Sequence, residues 1–141
     1  MSEGDEKRDR RPTVLVVDDE KEVVDAYALK LRREYDVRTA YGGPEALEVV
    51  DDAVDVVLLD RRMPELSGDE VLRRIRDREL ACRVVMLTAI SPEFDIVGMP
   101  VDDYLCKPVR DDDLYDAIDG QLQVAAYEKL SAYFSAAAKR E

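Results

Sequence analysis

Residues 13–20 read Thr13-Val14-Leu15-Val16-Val17-Asp18-Asp19-Glu20. An uncharged run of five stops abruptly at three acids. Apolarity that is continuous, not alternating, marks a strand buried on both faces of a parallel sheet. The shape recurs twice. Val54-Asp55-Val56-Val57-Leu58-Leu59 stops at Asp60, and Arg83-Val84-Val85-Met86-Leu87 stops at Thr88-Ala89. Two weaker strands are Asp36-Val37-Arg38-Thr39-Ala40, of edge character, and Asp103-Tyr104-Leu105-Cys106, which ends at Lys107-Pro108. Helical spacing fills the gaps. Lys21 to Arg33 spaces Val23, Val24, Tyr27, Leu29 and Leu31 between charges, and Gly42-Gly43-Pro44 turns into a helix carrying Ala46, Leu47 and Val50. A third helix runs from about Asp69 to Leu80, and Ser91-Pro92-Glu93 caps a short one reaching Val97. The last begins at Asp111 and continues to about Lys139. Five strands alternating with five helices predict an α/β fold, a doubly wound five-stranded parallel sheet.

The 141 residues suffice for one domain and a short extra piece. With 33 acids against 21 bases the net charge is −12, and Asp outnumbers Glu as Arg outnumbers Lys. An acid excess without a basic block argues against binding nucleic acid through this chain's surface. The same skew suits a host with a salty cytoplasm, where counterions screen self-repulsion. The absence of His removes every imidazole ligand, base or phosphohistidine. Cys82 and Cys106 make no metal pattern and fit a reduced cytoplasmic protein; at opposite ends of neighbouring strands they are too far apart to pair. No apolar run is long enough for a membrane span, and Met1 to Arg11, charged throughout, reads as a disordered leader and not a signal peptide.

In open parallel sheets ligands bind outside the carboxyl ends of the strands. With strand order 2-1-3-4-5, the first and third strands are neighbours, so Asp18, Asp19 and Asp60 converge there. Crowded carboxylates repel, and a hard divalent cation with oxygen ligands, Mg²⁺, relieves the conflict. Thr88 adds a hydroxyl and Lys107 a positive charge. Cation, ammonium and hydroxyl around one carboxylate suit a transferring phosphoryl group, with the carboxylate as nucleophile. Arg61-Arg62 reads as an exposed loop pair.

Val14 to Glu20, Leu58-Leu59-Asp60-Arg61-Arg62-Met63-Pro64-Glu65-Leu66-Ser67-Gly68, Leu87-Thr88-Ala89 and Asp103 to Pro108 together resemble the receiver domain of two-component response regulators. The resemblance covers roughly 12–120 and implies a flavodoxin-like fold. It implies Asp60 as phosphoacceptor, Asp19 as direct metal ligand, and Asp18 acting on Mg²⁺ largely through water. The main-chain carbonyl of Arg62 completes the ligands. Thr88 and Lys107 hold the phosphoryl oxygens, Lys107-Pro108 is cis, and Tyr104 is the switch aromatic that moves inward with Thr88. The phosphodonor implied is a sensor histidine kinase acting in trans, and the only chemistry is self-phosphorylation and self-dephosphorylation.

Two rivals are weighed against this. A pseudo-receiver adaptor would not need the intact Asp18, Asp19, Asp60, Thr88 and Lys107. A haloacid-dehalogenase-type phosphatase needs a second Asp two residues after the nucleophile, where this chain has Arg62. Thr88 and Lys107 lie closer in sequence than is usual in the family, which predicts a shortened fourth helix and puts dimerisation through that face in doubt. Beyond 120, Ile118, Leu122, Ala125, Ala126, Leu130, Tyr133, Phe134 and Ala137 form an apolar stripe on an extended C-terminal helix, 121–141. This stripe either packs on a second copy as a homodimer or leads into an output module. Tyr127 to Ser135 resembles the start of the HalX domain of haloarchaeal regulators.

Overall fold

The computed structural model describes residues 11–89 and 101–139, with side chains through 135. The short helix expected after Ser91 lies outside the described residues, as do residues 1–10 of the expected leader. The elements run β1 (Thr13–Val17), α1 (Lys21–Leu31), β2 (Asp36–Ala40), α2 (Gly43–Val49), β3 (Val56–Asp60), α3 (Gly68–Asp77), β4 (Arg83–Thr88), β5 (Asp103–Cys106) and α4 (Asp111–Lys139). All five strands join one sheet in the order β2-β1-β3-β4-β5, and every pairing is parallel. The expected doubly wound sheet is therefore present.

Side chains alternate across a strand, and here both sets are covered by helices. Leu15, Val17, Val57, Leu59, Val84 and Met86 pack with Ala46 and Leu47 of α2 and Val71, Leu72 and Ile75 of α3. On the opposite face Val14, Val16, Val56, Leu58, Val85 and Leu87 pack with Val24 and Leu31 of α1 and Leu114, Ala117 and Ile118 of α4. Each fully buried Leu or Val contributes roughly 1.5–3 kcal/mol through loss of contact with water. That explains why the three central strands carry no charge between their ends.

The helix ends follow local chemistry. Ser67 caps α3, its hydroxyl accepting from the Glu70 N–H at 3.2 Å. The same helix closes before Leu80, earlier than its apolar spacing predicts. Leu80 N–H donates to the Ile75 carbonyl at 3.4 Å and Glu79 N–H to the Arg76 carbonyl at 2.9 Å. This is a Schellman closure, with Glu79 at the left-handed position, φ 59°. An L side chain there costs roughly 1–2 kcal/mol, which glycine avoids. Glu79→Gly is therefore expected to stabilise the fold by about 1 kcal/mol, read as a higher urea midpoint at unchanged slope; an unchanged or lower midpoint refutes it. The Arg11 guanidinium satisfies carbonyls past the end of α1, donating to Arg32 O at 3.0 Å and Arg33 O at 3.2 Å.

Near the amino ends of β4 and β5, Asp102 organises a charged cluster. Its carboxylate accepts from the Val84 N–H at 2.6 Å and from Arg76 at 2.7 Å, and lies 3.2 Å from Arg83. Arg83 also donates to Gln121 at 3.0 Å and to Glu128 at 3.2 Å, both on α4. Cys82 and Cys106 are unpaired, at opposite ends of neighbouring strands as expected.

Candidate functional site

Register decides what meets at the carboxyl edge of the sheet. Val17 pairs with Leu59, so Asp18, just past β1, comes beside Asp60, the last residue of β3. Asp60 pairs with Leu87, putting Thr88 one step beyond it on β4. Thr88 pairs with Cys106, and the Lys107 N–H continues the ladder by donating to the Thr88 carbonyl at 2.8 Å. Four of the predicted residues are thus delivered to one edge by strand pairing alone. Asp19 stands next in the chain to Asp18.

Asp18, Asp60 and Thr88 are 3%, 4% and 2% exposed, which places them in the floor of the site. Asp19 is exposed at its rim. Carboxylate oxygens of Asp18, Asp19 and Asp60 lie within 4.8 Å of one another. Lys107 Nζ donates to Asp60 Oδ1 and lies 3.7 Å from Asp18 Oδ2. The Glu20 N–H donates to Asp18 Oδ1 at 3.0 Å, fixing that side chain. Burial holds the Asp60 carboxyl above the usual range; the Lys107 hydrogen bond pulls it down and the neighbouring acids push it up. Asp18 is also raised by burial, against the Glu20 N–H and the Lys107 charge. Burial works against the Lys107 ammonium, yet Asp60 and Asp18 outweigh it and its pKa is raised. Lys107 contacts Asp60 and Asp18 together, and three carboxylates gathered this closely are the condition that favours a divalent ion with oxygen ligands.

A cleft of about 170 Å³ opens over this cluster, lined by Asp18, Asp19, Asp60, Arg62, Thr88 and Lys107 among others. Arg62, predicted to offer its carbonyl, therefore lies at the cleft. Tyr104 does not line it: this side chain is 43% exposed on the edge strand β5. The Lys107-Pro108 bond is cis, as the resemblance implies.

Two features were not read from the sequence. Arg61 is no exposed loop residue: its guanidinium forks onto Asp69, with bonds of 3.1 and 3.2 Å, and its side chain is only 12% exposed. The pair ties the residue after Asp60 to the first turn of α3. Gly68 is the second. Its N–H donates to the Arg61 carbonyl at 2.7 Å, and a Cβ at this position would lie 2.4 Å from the Asp60 carbonyl oxygen. The Ser67-x-x-Glu70 spacing signals a helix start there, but nothing local announces how closely two backbone segments approach.

Residues 14–119 match the family model described as the response regulator receiver domain. The chain belongs to the response regulator receiver family. A Haloferax volcanii protein named "Putative transcriptional regulator" is 47% identical over 135 residues, 94% of this chain and 23% of that protein. The alkaline phosphatase synthesis transcriptional regulatory protein PhoP of Bacillus subtilis is 41% identical over 100 residues, 67% of this chain and 42% of its own length. The chain thus spans less than half the length of either relative. The receiver also superimposes on the solved response regulator TrrA of Thermotoga maritima, in complex with Mg²⁺-BeF, with a TM-score of 0.70 and 32% identity. That alignment covers 79% of this chain and 99% of TrrA. Neither the phosphatase nor the adaptor reading is favoured by these likenesses, and the Haloferax relative accords with the salty cytoplasm expected from the acid excess. No described helix is long and apolar enough to cross a membrane.

Proposed function

We propose that this receiver takes a phosphoryl group on Asp60 from the phosphohistidine of a sensor kinase and passes the change to its C-terminal helix. The observation that supports it most is the convergence of Asp18, Asp19 and Asp60 within 4.8 Å, with Lys107 on the Asp60 carboxylate. In the step, an Asp60 oxygen attacks phosphorus, the P–N bond to the donor imidazole breaks, and an acyl phosphate remains. Asp18, Asp19, Asp60 and the Arg62 carbonyl would hold Mg²⁺, which when bound neutralises the carboxylates against the incoming charge. Lys107 exchanges its Asp60 contact for a phosphoryl oxygen. The Thr88 hydroxyl donates to another, and Tyr104 follows it inward. The activity stops at self-phosphorylation and self-dephosphorylation, and the setting is the cytoplasm. In this reading 12–120 is the receiver proper and 121–141 an extension toward an output region.

The test is incubation with Mg²⁺ and acetyl phosphate, followed by intact-mass measurement. One added phosphoryl group is expected, and no adduct would overturn the proposal. Cation binding itself is expected to stabilise the fold, because only the native chain gathers the three carboxylates. At about 100 times its dissociation constant, Mg²⁺ adds about 2.7 kcal/mol. For a domain of this size that is a rise of about 8 °C in Tm. Chelation should reverse it and Asp19→Asn should remove most of it; a Tm indifferent to Mg²⁺ excludes the metal site.

A further inference from the structure

The fold leaves one large apolar surface uncovered among the described residues, and it lies on α4. This helix of 29 residues is about 43 Å long, whereas a strand of five residues reaches about 17 Å. From Ala126 to Ser135 every residue of α4 is exposed. Beyond Ile118 and Gln121, which are buried, Tyr127, Leu130, Tyr133 and Phe134 are 72%, 54%, 68% and 61% exposed.

We infer that this protruding face is the contact with a second copy of the chain. Gln123, Tyr127, Leu130 and Phe134 follow steps of four, three and four, the spacing of a two-helix seam. Val124 and Tyr133 widen it, and neither flank carries a charge. Between 121 and 135 the only charged residues are Glu128 and Lys129, which cancel. The net charge of −12 thus lies entirely elsewhere, and this segment is the part of the molecule that does not repel its own copy. Arg83 draws Glu128 back onto the domain, which keeps the one acid of the segment away from the seam. Aromatic side chains bring roughly 150–250 Å² each. At these exposures the four large residues supply about 1,000 Å² between two copies, the area at which a specific interface begins. The association needs no phosphoryl group, so it stands or falls separately from the role given to Asp60.

Sedimentation of the full chain over a wide concentration range, at low and molar KCl, tests this. The wild type and Asp60→Asn are expected to sediment as dimers of the 16.0 kDa chain, more tightly at high salt as screening removes repulsion between receivers. Leu130→Asp should shift the dissociation constant upward by at least 100-fold while leaving the thermal melt of the receiver intact. Leu29→Asp, an equally open apolar position on α1, should leave association unchanged. A wild type that stays monomeric throughout, or a dimer indifferent to Leu130→Asp, overturns the inference.

Discussion

Asp60→Asn is expected to abolish phosphoryl uptake from acetyl phosphate or a kinase, by a factor of at least 1,000, while leaving a folded protein. An amide oxygen has no full negative charge to offer phosphorus and cannot form a stable acyl phosphate. The loss is therefore chemical and not a matter of degree. Stability should respond in a way that separates this role from a structural one. Asp60 is 4% exposed and shares its pocket with two other acids, so its ionised form is disfavoured by burial and by its neighbours. Against this stands its hydrogen bond with Lys107, which an Asn carbonyl can still accept. Without Mg²⁺, the Tm of Asp60→Asn should equal or exceed that of the wild type, because one of three converging charges is gone. With Mg²⁺ the order should invert, since the variant has lost a metal ligand. An adduct of wild-type yield in Asp60→Asn would place the acceptor elsewhere.

Gly68→Val should cost both fold and site. A Cβ on residue 68 meets the Asp60 carbonyl oxygen at 2.4 Å and Arg61 Cα at 2.8 Å, and both are backbone atoms that cannot rotate away. Either α3 lifts off the sheet or the segment carrying Asp60 shifts. The first loosens the packing of Val71, Leu72 and Ile75; the second moves the carboxylate that the cleft is built around. Overpacking alone costs typically 1–3 kcal/mol, and a clash with rigid backbone lies at or above the upper end. A loss of more than about 3 kcal/mol by urea unfolding is expected. In the fraction that remains folded, phosphoryl uptake should fall at least tenfold. A Gly68→Val protein of wild-type stability would show that the loop yields more easily than its contact with the 60–61 backbone implies.

The difference between Asp60 and Gly68 shows what the sequence made legible. Asp18, Asp60, Thr88 and Lys107 each end a strand, and parallel pairing then carries them to one edge. Continuous apolarity was thus enough to place Asp18, Asp60 and Thr88, while Lys107 rested on the weaker strand before it. Gly68 and the fork between Arg61 and Asp69 answer to close approach in three dimensions, which leaves no periodic trace. The end of α3 departs from the spacing for a related reason: Leu80 continues the apolar pattern, but it is half-buried as the residue after a left-handed turn and not as another helical position. Tyr104 stands out, through the resemblance, as an aromatic three residues before Lys107, while its exposure depends on β5 being the edge of the sheet.

Helix α4 passes residue 120 unbroken, its first turns set in the core and its later turns exposed. It therefore behaves as a lever whose fulcrum is the packing of Leu114, Ala117 and Ile118. A tilt of 5° at the fulcrum, too small to disturb the packed residues, would carry a tip about 25 Å away through about 2 Å. Arg83 grips the helix at Gln121, just past this packing, and again seven residues on at Glu128, and holds Asp102 at the root of β5 with the same guanidinium. The position of β5 and the tilt of α4 are thus held by one guanidinium, so that neither can change without disturbing the other's ion pair.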